Sequence, residues 1–190
     1  MNTNRCLLAP ALLALIVVAP HVGGAQDNTP TKDAAAADDR WAPFRYFLGA
    51  WEGDAIGFGR QSSLERSCEL VLKDQFLRLS TVAIFPPQEG LAEGERHEDW
   101  GMLSYDTARK TFVFRQYFGE GFMNQYLAEI AEDGRTITMT TELIESFEPG
   151  WRARLTFRII DEDTFEQRLE LAQPDKDYFT CQEGTLRRKK

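Results

Sequence analysis

The sequence predicts an all-β fold: a ten-stranded antiparallel up-and-down barrel with a short N-terminal capping helix. Three observations predict it. Beyond residue 50 the apolar residues recur with period two in short runs, and no long stretch keeps the helical period. The runs are separated by brief turn-forming clusters, too short for the crossover helices that parallel strands need. A meander of this many strands must also hide its edges. Closure does that outright, whereas a sandwich would require a long crossing connection.

The capping helix is read from Trp41-Ala42-Pro43-Phe44-Arg45-Tyr46-Phe47-Leu48. Pro43 suits a first helical turn, Phe44, Phe47 and Leu48 share one face, and Gly49 ends it. Strands are then expected at 51–58, 64–72, 76–85, 94–104, 111–118, 122–130, 136–144, 151–160, 164–171 and 178–186. Lys73-Asp74, Pro86-Pro87, Gly119-Glu120-Gly121 and Glu148-Pro149-Gly150 punctuate them, and Asp133-Gly134 is the strongest hairpin signal. On 151–160, Trp151, Ala153, Leu155, Phe157 and Ile159 face one way and Arg152, Arg154 and Arg158 the other, as in a half-buried strand.

The chain has 190 residues, enough for one folded domain, with 43% hydrophobic and 27% charged residues. Acidic side chains outnumber basic ones 30 to 22, which argues against nucleic acid as the main partner. Residues 7–20 are apolar behind Arg5, and Gly23 and Ala25 suit cleavage before Gln26. A signal peptide is therefore expected at 1–25, a flexible spacer at 26–40 and the barrel domain at 41–190. The mature protein would be exported to the periplasm or beyond, with no transmembrane segment after cleavage. In that oxidising setting Cys68 and Cys181 form a possible disulfide, the alternative being two separately buried thiols.

Catalytic patterns are thin. His97 is the single histidine beyond residue 25, so a multi-histidine metal site is excluded there, and no nucleophile elbow, phosphate loop or dinucleotide fingerprint occurs. Glu166 and Glu170 share a face with Arg168, which reads as a surface ladder of ion pairs. The basic end, Arg187-Arg188-Lys189-Lys190, reads either as a contact for anionic lipid, which the net negative charge opposes, or as a frayed, solvated tail. Whether the protein is an enzyme stays open at this point: binding is favoured over catalysis, with a cavity-based haem or isomerase chemistry as the remaining alternative.

A barrel of this size can enclose one ligand cavity, with a wall expected to be mostly Phe, Leu, Ile and Trp. Among polar residues on the central strands, His97, Arg115, Tyr117 and Tyr126 are the candidate ligand-binding residues. His97 shares a face with Glu95, Asp99 and Gly101; if that face points outward, Trp100 and Met102 pack inside instead. Arg115 and Tyr117 lie on one face opposite Phe112, Phe114 and Phe118. An inward Arg115 would require an acidic neighbour or an anionic ligand.

Several segments carry a resemblance: Phe47-Leu48-Gly49-Ala50-Trp51-Glu52-Gly53, Asp74-Gln75-Phe76-Leu77, Trp100-Gly101-Met102-Leu103-Ser104-Tyr105-Asp106, Lys110-Thr111-Phe112-Val113 and Gly121-Phe122. The first resembles the opening of lipocalin-like and fatty-acid-binding-like barrels. Over 44–188, their order and spacing resemble the bacterial nitrobindin-like and lipocalin-like (calycin) barrels. The resemblance implies a ten-stranded barrel with an internal apolar cavity, and in the nitrobindin branch a haem iron held by a His near the C-terminal end. The last expected strand contains no His, so no haem ligand carries over and no cofactor is expected. The expected function is binding of a small apolar or amphipathic molecule, as carrier, scavenger or sensor. The alternatives are a filled barrel serving as a cell-envelope structural or interaction protein, and a haem-binding barrel.

Overall fold

The computed structural model describes residues 39–190. The expected signal peptide, and the spacer up to residue 38, lie outside the described residues. A 3-10 helix, Ala42–Phe47, leads into ten strands: β1 (Gly49–Gly57), β2 (Arg60–Val71), β3 (Phe76–Phe85), β4 (Glu95–Asp106), β5 (Thr111–Phe118), β6 (Met123–Ile130), β7 (Thr136–Glu145), β8 (Arg152–Ile159), β9 (Thr164–Ala172) and β10 (Phe179–Arg188). Each strand pairs antiparallel with its chain neighbours, and β1 pairs with β10 to close the barrel.

Closure depends on two glycines. A Cβ on Gly53 would sit 1.9 Å from the Thr185 carbonyl oxygen, and one on Gly184 would meet the Ala55 Cβ at 2.8 Å. Without side chains at these positions β1 and β10 approach closely enough to pair from Trp51↔Arg188 to Gly57↔Gln182.

The helix seals one end. Phe44 and Phe47 turn inward onto Trp51, Phe112, Phe157 and Phe165, all buried. Their rings meet largely edge to face, with Trp51–Phe165 at 4.9 Å and Phe44–Phe112 at 4.7 Å between centroids. Trp51 Nε1 donates to the Phe47 carbonyl at 2.8 Å, which ties the helix to the first strand. The expected frayed tail is corrected here. β10 runs to Arg188, whose guanidinium lies 4.2 Å from the Trp51 ring and donates to the Leu48 and Tyr46 carbonyls, each at 2.8 Å. A cation at the helix C-terminus satisfies carbonyls that the short helix leaves unpaired.

The disulfide expectation is also corrected. Cys68 and Cys181 are both free and buried. Cys68 pairs with Gly49 at one end of β1, and Cys181 lies next to Gln182, the partner of Gly57 at the other end. The intervening strand spans about 26 Å at about 3.3 Å per residue. A disulfide needs Cα atoms within about 7 Å.

Candidate functional site

Alternation on the strands sorts side chains into an outer surface and a lumen. Outside, the expected ladder of charges forms: Arg154–Glu170 at 2.7 Å, Arg158–Glu166 at 2.5 Å and Arg168–Glu183 at 2.7 Å. A broad open recess of about 970 Å³ crosses this face, over Asp54, Ile56, Arg158, Glu166 and Arg168 among others. Its arginines already pair with neighbouring glutamates, so it offers a ligand little beyond solvent-bathed charge.

The lumen has two halves. Next to the helix it is a packed aromatic floor, and the void left between Arg66, Cys68, Leu77, Phe157 and Phe165 measures about 20 Å³. That is space for about one water. Toward the end opposite the helix the inward positions turn polar: Ser62 and Arg66 on β2, Thr81 on β3, Gln116 on β5, Asn124 on β6 and Gln167 on β9 are all buried. This differs from the expected apolar wall. The apolar residues are spent on the floor and the helix cap, which leaves the other half to side chains that hydrogen-bond one another.

Those bonds form a chain. Arg66 Nε donates to Thr81 Oγ1 at 3.1 Å, and Thr81 in turn hydrogen-bonds Asp99 on β4. Gln116 Nε2 donates to Asp99 at 2.9 Å, Tyr126 OH donates to Gln116 Oε1 at 3.3 Å, and Asn124 Nδ2 donates to Tyr126 OH at 2.7 Å. Burial pushes the Asp99 carboxyl above the usual carboxylate range, against the pull of Arg66 and of the bonds from Gln116 and Thr81. Burial likewise pulls Arg66 below an ordinary arginine, with Asp99 opposing, and lifts the Tyr126 phenol.

The chain leaves atoms over. Arg66 Nη1, Ser62 Oγ, Asn124 Oδ1 and Gln167 Oε1 are buried without a hydrogen-bond partner. Arg66 is the costliest of these. Asp99 reaches it through Thr81 rather than directly, and its guanidinium rests 5.4 Å from the Phe157 ring. Native proteins rarely leave buried donors unpaired, so each such atom calls for an explanation.

At the mouth, His97 faces inward on β4, edge-on to Phe85 at 5.4 Å. Its Nε2 lies 3.2 Å from Glu95, and its Nδ1 bonds Glu120 in the β5–β6 loop. Burial works against the charged ring, yet the two carboxylates outweigh it and raise the His97 pKa. Beside it, Phe118 stacks on Phe122 at 4.2 Å, and Phe147, Trp151 and Phe179 continue an aromatic string around the rim.

Of the residues expected from sequence, Tyr126 and His97 therefore face the lumen, one buried in its polar half and one at its mouth. Arg115 and Tyr117 do not. Arg115 lies on the outer face within 3.4 Å of Ser104 Oγ, and Tyr117 is 51% exposed, because Phe112, Phe114 and Gln116 hold the inner positions of β5. Trp100, 54% exposed, faces outward because a Cβ on Gly101 would come within 2.3 Å of the Phe114 ring, which fills the space inside. Sequence reasoning passed over Arg66, Thr81, Asn124 and Gln167. For Arg66 a signal existed: Ser62, Leu64, Arg66, Cys68 and Leu70 share one face of β2, while Ser63, Glu65, Ser67 and Glu69 make the other wholly polar.

The residues present do not fit haem. His97 is held between two carboxylates, the Cys181 thiol donates to the Leu169 carbonyl and burial pushes it up to about 11, and Tyr126 is fixed by Asn124 and Gln116. Among the described residues no group of three His, Cys, Asp or Glu side chains is set to hold a metal ion.

Fold and site together define a closed ten-stranded barrel with a sealed aromatic end and a layer of buried polar side chains toward the other. Among solved structures, the chain is similar to the crystal structure of Rv2717c from M. tuberculosis. The TM-score is 0.62 at 16% identity, over 79% of this chain and 97% of that one. A protein of unknown function of the DUF3598 family from Nostoc punctiforme PCC 73102 aligns over 80% of this chain and 100% of that one, at 10% identity and a TM-score of 0.29. No family model and no curated protein matches the sequence. At such identity the likeness to Rv2717c speaks to the fold alone.

Proposed function

We propose that this protein is a calycin-like binding barrel, exported after loss of residues 1–25, that takes a small amphipathic molecule at the end opposite the helix. The observation that carries the reading is the inward-facing polar layer, with four buried polar atoms left unpartnered above a filled floor. A barrel serving only as a scaffold gains nothing from such atoms, because each costs about 1–3 kcal/mol in desolvation. The rim of Phe118, Phe122, Phe147, Trp151 and Phe179 supplies the apolar contacts, and the layer below supplies the polar ones.

A dye titration tests this. 8-Anilinonaphthalene-1-sulfonate is expected to bind saturably at one site. Ala83→Phe, which puts a ring into the lumen, should abolish that site, while Val82→Phe on the neighbouring outward position should leave it. Dye binding that is absent, or indifferent to Ala83→Phe, would favour the filled structural barrel.

A further inference from the structure

We infer that the outer face of β4, β5 and β6 is a dimerisation surface, on which a second copy of this chain packs face to face about a two-fold axis that crosses the strands. The surface is separate from the lumen, so a barrel with or without a ligand presents it. Cross-strand register sets it out in rows. Trp100, Tyr117 and Met123 form one row across the three strands. Arg78 on β3, Met102 and Arg115 form the next row toward the helix. On the other side of the first row stands Glu98, whose carbonyl accepts from the Gly119 N–H, with Glu120 following in the β5–β6 loop. Trp100 is 54% exposed and its register partner Tyr117 51%, while Met102 and Met123 are half-buried beside them. Exposed Trp and Tyr gathered with Met and Arg make the composition of a protein–protein interface rather than of ordinary solvated surface.

Charge identifies the partner. The helix side of the Trp100–Tyr117 row carries cations, Arg78 and Arg115, and the opposite side carries carboxylates, Glu98 and Glu120. A two-fold axis lying along that row exchanges the two sides. It sets each ring against its counterpart and places Glu98 of the partner subunit opposite Met102, between Arg78 and Arg115. The same contact recurs with the roles of the copies exchanged, as an isologous interface requires. Arg115 makes no ion pair among the described residues and rests 3.4 Å from Ser104 Oγ, so its charge is free to meet an acid from outside. Arg78 leans over the Trp100 ring at 5.8 Å, which joins the cationic row to the aromatic one. An anionic bilayer would be repelled by Glu98 and Glu120; a partner of the same polarity, reversed, satisfies both sides at once. Sheets packed face to face lie about 10 Å apart, a gap that two layers of large side chains fill. The footprint, about 20 Å across the strands by about 15 Å along them, is at the small end of specific interfaces, so the dimer is expected to dissociate on dilution.

Sedimentation velocity of the untagged protein over a dilution series tests the surface, with thermal unfolding to confirm that each variant folds. The wild type is expected to pass from dimer to monomer on dilution, and Trp100→Ser to stay monomeric throughout. Charge reversal tests the two-fold. Arg115→Glu sets a carboxylate against Glu98 of the partner subunit, and Glu98→Arg sets a guanidinium against the partner's Arg115. Each should raise the dissociation constant of the dimer by about tenfold or more. Mixing the two variants should restore association, because both charge contacts of the mixed pair then join opposite charges. A wild type that is monomeric at every concentration overturns the proposal. So does a dimer indifferent to Trp100→Ser or to either charge reversal. Two folded, weakened variants that fail to recover on mixing overturn it as well, because the two-fold is what brings those residues together.

Discussion

Replacing Arg66 by methionine should stabilise the unliganded protein. The guanidinium is buried, makes no ion pair among the described residues, keeps one hydrogen bond through Nε and leaves Nη1 bare. Losing the Thr81 bond costs about 1 kcal/mol, since Thr81 still holds Asp99. Removing a desolvated, unpaired charge returns more than that, and an unbranched thioether packs readily against Phe157 and Cys68. Hydrophobic replacement of poorly compensated buried charge is known to gain about 1–4 kcal/mol. A net gain of about 2 kcal/mol would raise Tm by roughly 4–8 °C for a domain of this size. Asp99 complicates the single variant, because Arg66 is what draws its raised pKa back down. The clean comparison is therefore Arg66→Met in an Asp99→Asn background, followed by circular dichroism through urea and thermal unfolding. If that double variant is less stable than Asp99→Asn alone by more than about 2 kcal/mol, the guanidinium is satisfied in the native protein and the reasoning fails.

Gly53→Ala should cost about 3 kcal/mol or more, because its methyl would meet the Thr185 carbonyl at 1.9 Å and force the β1–β10 seam apart; an unchanged urea midpoint would contradict the seam. His97 should titrate above its ordinary 6.5, since Glu120 and Glu95 favour the charged ring more than burial disfavours it. A raised folded-state pKa means the His97–Glu120 tie is fully present below about 6.5 and is lost as pH rises through the folded value. Hydrogen exchange at residues 119–122 should quicken over that range in the wild type and show no such step in His97→Gln, and a ring titrating below 6.5 by NMR would refute the tie. Both barrel thiols should be free on unfolding and inert in the native state, burial having pushed Cys68 up to about 12 and Cys181 up to about 11; rapid labelling of either thiol in folded protein would show that its burial is wrong.

Period-two patterning carries most of the fold. β3 and β5 span the expected residues, and most other boundaries move by one or two, because a buried face forces register. β2 starts four residues earlier than expected, since Phe58 and Gly59 turn the chain at positive φ directly after β1. Arg187 and Arg188 looked like a solvated tail because charge alone says nothing about a carbonyl cluster arriving from residues 46 and 48, far away in the chain. The polar lumen was harder to read for the same reason. An inward Arg, Thr or Asn is tolerable only when partners on other strands meet it, and those partners are set by three-dimensional register rather than by any local motif. On β4 the face shared by His97, Asp99 and Gly101 was visible, but its direction was decided by Phe114 filling the space over Gly101.

The central claim is that the polar half of the lumen holds a small molecule. Native mass spectrometry of the untagged protein, isolated without denaturation, tests it most directly. The account predicts one retained molecule per chain, released on denaturation and absent from the Ala83→Phe variant. A wild-type mass equal to the bare polypeptide, with no added mass when 8-anilinonaphthalene-1-sulfonate is supplied, would contradict it.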